Sequence, residues 1–438
     1  MDSAEATGME MHALIARLYP ICRSITGDGV RETLRIVSEH LPLHIREVPT
    51  GTKVFDWTVP QEWNIRDAWI KDSHGQRVVD FRQHNLHVLG YSVPVRAELP
   101  LSQLRKHLHT LPDQPSLIPY RTSYYKEQWG FCLSHNQLAA LREDTYEVCI
   151  NASLGPGNLT LGECLLPGES TDEVLISCHV CHPSLANDNL SGIALAVALA
   201  VRLKSEPRRY SYRFLFIPGT IGSITWLALN EGRTANIKHG LVLTCVGDAA
   251  NITYKRSRRG NAEIDRAADH VLRTSGEPYR IIEFHPYGYD ERQYCSPGLN
   301  LPVGVFMRSQ HGTFLEYHTS ADDLSFVKPR CLTDSLSKVW DILQLLEQND
   351  VYLNQNPKCE PRLGARGLYG TVGGARRNTF DEMALLWVLN LSDGEHDLLS
   401  IANRAAVKFN VIAAAASALA EVGLLRHAGA HAQRKGTT

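Results

Sequence analysis

Glu173-Val174-Leu175-Ile176-Ser177-Cys178-His179-Val180-Cys181-His182-Pro183-Ser184-Leu185-Ala186-Asn187-Asp188-Asn189-Leu190-Ser191-Gly192 is the stretch on which the fold turns. Residues 173–178 are an apolar run of strand length, and residues 191–203 are an apolar segment of helix length. Together they read as a buried strand, a polar loop and a helix, the repeating step of a parallel α/β sheet. The loop admits more than one chemistry. C-x-x-C-H, here residues 178–182, is the pattern of covalent haem attachment. Two Cys and two His within five residues also suit a closed zinc site. A third reading sets the thiols aside and joins His179 to the Asp188 segment as a metal-binding centre.

The same step recurs downstream. Residues 212–217 and 240–246 read as strands, and residues 221–229 and 262–274 as helices. The expected architecture is α/β, a mostly parallel mixed sheet flanked by helices, built from residues 1–46 and 126–352. Residues 9–40 are helical in pattern, broken by the capping turn Ser24-Ile25-Thr26-Gly27-Asp28-Gly29. Residues 47–125 differ, with Trp57, Trp63 and Trp69 set among short alternating runs and Asp72-Ser73-His74-Gly75 as a hairpin turn, so they read as a small inserted β-rich domain. Residues 353–378 are rich in Gly and basic residues and read as a linker. Residues 379–427 form a compact helical unit, and residues 428–438 a disordered tail.

Composition narrows the function. The 438 residues are 43% hydrophobic and 21% charged, as expected for an ordered globular chain. A net charge of −2 offers no electrostatic case for nucleic acid or an anionic membrane as partner. No apolar run approaches the roughly 20 residues that span a bilayer. The first residues show no secretory signal, so the ten Cys are expected to be reduced thiols in a cytoplasmic protein. Haem attachment needs an oxidising compartment and drops out on that ground.

In an open α/β sheet, ligands bind beyond the carboxyl ends of the strands. His179, Gly219-Thr220 and Asp248 all fall at such ends, Asp188 lies just before a helix, and His318 lies in Glu316-Tyr317-His318-Thr319-Ser320-Ala321-Asp322-Asp323. Taken singly, each is an ordinary cap or turn residue. Taken together, two His and two Asp make a donor set suited to zinc, with a position open for an activated water.

The order His, then Asp-Asn-x-Ser-Gly, then a strand-end pair, then Gly-Asp, then Tyr-His-Thr-x-x-Asp resembles the co-catalytic zinc aminopeptidases of the aminopeptidase Y and glutamate carboxypeptidase type. It is most similar to a bacterial aminopeptidase-like subgroup with an inserted β domain and a C-terminal winged helix, associated with polysaccharide or secondary-metabolite gene clusters. Residues 181–189, 220–223, 317–323, 118–125 and 129–131 carry the likeness. The resemblance implies that His179 and Asp248 bind one metal, that Asp188 bridges two, and that His318 binds the second. It implies one zinc ion or two, with His182 as an extra ligand or supporting donor. Cys181, Tyr289, Arg292 and Tyr317 are read as supporting or substrate-contacting residues.

Two departures bear on activity. Cys181 stands where the family has an Asp that orients the first imidazole. Gly219-Thr220 stands where the family has Glu-Glu, or in the subgroup Glu-Thr, and Gly219 cannot accept a proton from a metal-bound water. Glu291, Asp290, Glu316 and Asp322 are the carboxylates available to substitute, and Glu291 also suits a substrate ammonium. The first expectation is a zinc-dependent hydrolase of an amide or peptide bond in a small substrate bearing an amino group: a peptide, an aminoacyl amide or a metabolite. The alternatives are a non-hydrolytic zinc enzyme of cyclase or acyl-transfer type and a catalytically impaired homologue. A transcription regulator ranks last, because residues 378–426 hold three Lys or Arg against six Asp or Glu. That unit is read as a packing, lid or dimerisation module, compatible with a homo-oligomer.

Overall fold

The computed structural model describes residues 3–368, 371–372, 375–376 and 381–431. Eight strands form the main sheet: β1 (His44–Pro49), β2 (Asn158–Leu166), β3 (Glu173–His179), β4 (Ser211–Ile217), β5 (Ile237–Leu243), β6 (Ile252–Lys255), β7 (Tyr279–Ile282) and β8 (Val303–Met307). Their spatial order is β1-β2-β4-β3-β5-β8-β6-β7. The central strands β4, β3, β5 and β8 run parallel. β1 with β2, β2 with β4 and β6 with β8 pair antiparallel, which makes the sheet mixed.

Every residue of β3, β4 and β8 is buried, so these sequences show no apolar–polar alternation. After β3 the chain passes through the irregular turn Ala186–Ser191 into the helix Gly192–Lys204. That helix starts hard against the end of β5. A Cβ at Gly192 would lie 2.5 Å from the Leu243 carbonyl oxygen, so only glycine permits this approach. β5 ends three residues earlier than the pattern of residues 240–246 suggests, because Cys245 turns the chain out of the sheet with a left-handed backbone (φ 48°).

The β-rich segment forms a four-stranded antiparallel sheet in the order Arg77–Asp80, Glu62–Lys71, Thr145–Gly155, Val95–Pro100. Thr145–Gly155 lies outside residues 47–125, so the small sheet reaches further along the chain than the sequence expectation. Its alternating burial reads equally well as a strand of either sheet. Trp63, Ile70 and Tyr146 of the small sheet share one buried cluster with Leu175, Leu215 and Val242 of the large one. At the amino end of the parallel strands, the buried Arg213 guanidinium donates to both oxygens of Glu173, at 2.6 and 2.5 Å.

Glu263–Tyr279 and Lys338–Thr438 form a second compact unit. In it Val351–Asn354 pairs with Asp393–Asp397 and Leu425–His427, beside the helices Glu382–Leu391, Leu398–Ala405 and Phe409–Glu421. Three short strands and three helices make a winged helix. Its first strand falls before residue 379, where a four-residue half-buried run beside a Gly-rich stretch carries no strand signature. Asp397 caps the helix Leu398–Ala405 by accepting from Ser400 N, and pairs with Arg266 at 2.7 Å. Part of the expected linker and residues 432–438 of the expected tail lie outside the described residues, while Ala428–His431 forms a 3-10 turn rather than disordered chain. Among the described residues, no helix is long and apolar enough to cross a membrane.

Ile176 is 1% exposed at the middle of β3. Ile176→Ala is expected to cost about 2–5 kcal/mol of stability in urea denaturation. Val201→Ala, at a helix position 45% exposed, is expected to change it by less than about 0.5 kcal/mol.

Candidate metal centre

β3 ends at His179, and the Val180 N–H donates to Ile217 O at 3.0 Å, which keeps the following loop at the carboxyl edge of the sheet. Arg23 reaches across from the N-terminal segment and donates to the His182 carbonyl at 2.9 Å. Asp188 sits in the irregular turn with φ −110° and ψ 84°, outside the helical region. The turn is held from below by its own neighbours. Asp322 accepts from the backbone N–H of Asn187 at 2.6 Å and of Asp188 at 3.0 Å. The Asn187 side chain donates to Asp248 at 2.8 Å and accepts from Gly247 N at 2.9 Å. Asn189 donates to Leu243 O at 3.0 Å.

This scaffold aims the Asp188 carboxylate at two imidazoles, with a third beside them. His179 Nε2 is 2.8 Å from Oδ1, and His318 Nε2 is 3.0 Å from Oδ2. One ligand atom each of His179, His182 and Asp188 lies within 4.8 Å of the others. The His182 ring centroid is 4.9 Å from that of His179 and 5.2 Å from that of His318. The His179 and Asp188 side chains are fully enclosed, while His318 is 31% exposed. Burial pushes the His182 imidazole well below its ordinary range, towards the neutral, metal-binding form. Burial would raise Asp188, but the surrounding imidazoles hold it well below the usual carboxylate range. Burial also pushes the Asp322 carboxyl up to about 8, against the pull of the two backbone N–H groups it accepts from.

An enclosed carboxylate must be paired or must coordinate a cation. Among the described residues no Lys or Arg pairs with Asp188: Lys255 lies 2.8 Å from Glu291, and Arg23 donates through Nε and Nη1 to the His182 and Leu18 carbonyls. Two imidazoles and a carboxylate therefore fit a zinc-class ion and leave a coordination position open.

The other sequence candidates fall into different places. Asp248 is not brought into this group; its oxygens accept from Asn187, Ser309 and Ala250, so it anchors the loop under Asp188. Cys181 Sγ accepts from Gly219 N at 3.2 Å, and His179 Nδ1 is buried without a hydrogen-bond partner, so the orienting carboxylate has no replacement at that nitrogen. Thr220 has φ 64°, and its N–H donates to Asp290 Oδ1 at 2.6 Å, so it shapes the turn before the helix Ile221–Leu229. Glu291 is fully buried, accepts from Tyr289 N at 2.9 Å and pairs with Lys255. It holds the loop instead of facing the imidazoles. Among the described residues, Arg292 makes no hydrogen bond or ion pair with the group, and its Nε is buried without a partner. Tyr317 stacks on His318 at 3.9 Å.

Tyr289 answers what lies beside Gly219. Its ring stacks on His179 at 3.8 Å, its hydroxyl is 2.8 Å from His182 Nε2, and a Cβ on Gly219 would lie 2.8 Å from Cε1. The volume in which a glutamate side chain would start is filled by the ring. Tyr120, which the sequence reading did not single out as a site residue, also belongs here. Its ring lies 5.0 Å from both His182 and His318, and its N–H donates to His318 O at 2.7 Å. The phrase at residues 118–125 was its only signal.

The mixed sheet, with its polar cluster at the carboxyl ends of the parallel strands and a winged helix in the second unit, defines an aminopeptidase-like fold. The zinc aminopeptidase of Bacillus subtilis has a similar fold, with a TM-score of 0.56 at 12% identity over 76% of this chain and 94% of that one. The chain belongs to the family described as a domain of unknown function, DUF4910, which its residues 12–349 match; residues 350–427 match a winged helix-turn-helix family. It is 52% identical, over 97% of its length and 98% of the relative's, to a Clostridium acetobutylicum protein named as a candidate polysaccharide biosynthesis protein with an aminopeptidase-like domain. It is also similar to the crystal structure of a candidate peptidase from Clostridium acetobutylicum, with a TM-score of 0.93 and 50% identity over 97% of both chains.

Gly219→Ala is expected to cost about 1–3 kcal/mol by overpacking against the Tyr289 ring. In a Tyr289→Ala background the cost is expected to fall towards zero. A double-mutant cycle by chemical denaturation checks the coupling.

Proposed function

We propose that the protein is a zinc-class metalloenzyme that acts on the carbonyl of an amide or peptide bond in a small substrate, within polysaccharide or secondary-metabolite biosynthesis. The observation that carries this reading is the enclosed Asp188 carboxylate with an imidazole nitrogen at each oxygen, at the carboxyl edge of a parallel sheet. His179, His182 and Asp188 would hold one ion, and His318 stands on the other side of Asp188, where a second would share it. Bound zinc supplies Lewis acidity towards a carbonyl oxygen and acidifies a bound water. The protein's own residues do the rest: Asp322 and Asn187 fix the carboxylate, Tyr120 and Tyr317 wall the rings, and Tyr289 fills the space beside Gly219.

A second reading, a non-hydrolytic zinc enzyme of cyclase or acyl-transfer type or an impaired homologue, is favoured by that same ring. A lost general base removes on the order of 10²–10⁴ in rate. No carboxylate replaces it at position 219, and Glu291 is engaged with Lys255. The expected ammonium contact of Glu291 loses its residue on the same evidence. The names of the relatives support the biosynthetic and peptidase-like setting. All ten Cys are free thiols, which supports a reducing compartment such as the cytoplasm. The excess of acidic over basic residues in the winged unit supports a partner other than nucleic acid.

Purified protein is expected to carry a zinc-class metal, and His179→Ala to lose it, by elemental analysis. Unchanged metal content in His179→Ala would sink the proposal. Gly219→Glu combined with Tyr289→Ala is expected to raise aminoacyl-amide hydrolysis by about 10²-fold or more if the base alone is missing. No gain from the double variant, with intact metal, would favour the non-hydrolytic reading.

A further inference from the structure

We infer that the substrate reaches the candidate metal centre through a pocket built jointly by the inserted segment and the His318 loop, and that Arg121 makes this pocket select an anionic group. The inference rests on the metal reading above and goes beyond it to the class of substrate.

Access comes first. The His179 and Asp188 side chains are fully enclosed and His182 is 7% exposed, whereas His318 is 31% exposed. The cavity on that open side holds about 430 Å³, within the usual range for small-molecule sites. Tyr120 and Arg121 line one wall; Phe314, Tyr317 and His318 line the other, with Leu315 at 76% exposure among the lining residues. The two walls are tied by backbone. Tyr120 N donates to His318 O at 2.7 Å, and Ser320 N donates to Ile118 O at 2.9 Å. The Ile118 N–H donates to Ser320 Oγ at 3.0 Å, and Gln114 Nε2 donates to Leu315 O at 2.8 Å. These ties pre-form the pocket before any ligand arrives.

Charge comes second. No Asp or Glu is among the residues lining this cavity; Glu316 shares the loop but does not line it. Arg121 is exposed and has no ion-pair partner among the described residues. The pocket offers a guanidinium and no carboxylate, so it suits an anionic group and not an ammonium. A guanidinium forks onto carboxylate or phosphate oxygens. The aromatic and aliphatic walls suit a short carbon skeleton between that anionic group and the amide carbonyl at the metal. The pocket therefore matches an acidic amide: a small molecule with a carboxylate or phosphate a few bonds from the amide.

The test is a calorimetric titration with a matched pair, succinamate, which has one carboxylate and one amide, and succinamide, which has two amides and no charge. The native protein is expected to bind succinamate about fivefold more tightly or better, the worth of one partly exposed ion pair. Arg121→Gln is expected to remove that preference and leave succinamide binding and metal content unchanged, and Arg121→Lys to restore part of it. Equal binding of the two compounds, a preference that survives Arg121→Gln, or no binding of either at millimolar concentration overturns the inference. The same titration on His179→Ala separates the two readings. If the metal reading alone is wrong, the Arg121-dependent preference persists; if the pocket reading alone is wrong, metal loss in His179→Ala stands without any charge preference.

Discussion

A carboxylate with no exposure, Asp188, is the constraint around which the rest of this structure is arranged. Taking an ion out of water costs several kcal/mol even after relaxation, and only close, well-directed partners offset it. The fold supplies those partners from elements far apart in sequence. β3 brings His179, the loop after β8 brings His318, and Asp322, 134 positions away from Asp188, braces the backbone beneath it. The parallel order of β4, β3, β5 and β8 makes this convergence possible, because each strand ends at the same edge and delivers its loop there. Glycine at position 192 then lets the following helix close on β5, so the turn bearing Asp188 has little room to move.

The strand–loop–helix unit at residues 173–204 was legible because it is an unbroken apolar run, a polar break and a second apolar run of helical length. Element type survived where boundaries did not: Cys245 ends β5 early through its own backbone, and hydrophobicity carries no trace of a left-handed residue. The small sheet was legible from its Trp-rich alternation, but the membership of Thr145–Gly155 was not, since period-two burial does not say which sheet a strand joins. The first strand of the winged unit escaped for a plainer reason, being four residues long and nowhere fully buried.

Candidate site residues follow the same division. Sequence order indicated which residues stand at strand ends, and the structure brings His179, Asp188 and His318 together. Order could not say where a carboxylate points. Asp248 stands at a strand end yet faces backbone and side-chain donors beneath the turn, and Glu291 faces Lys255. Both outcomes depend on which donors crowd the group in three dimensions. Tyr120 shows the other side of this limit. It comes from the inserted segment, nearly 200 residues before His318, and the hydrogen bonds between residues 114–120 and 315–320 bring it to the rings.

The ring of Tyr289 against Gly219 also limits how this site could change over time. A carboxylate installed at position 219 by one substitution overpacks the site, because the first carbon of any side chain there meets the ring. Removing the ring first strips the stacking partner from His179 and the hydroxyl beside His182. Each single change carries its own physical cost: overpacking at position 219, or a lost ring contact at His179 and a lost hydroxyl at His182. Positions 219 and 289 are therefore coupled, and the effect of a substitution at either depends on which residue stands at the other.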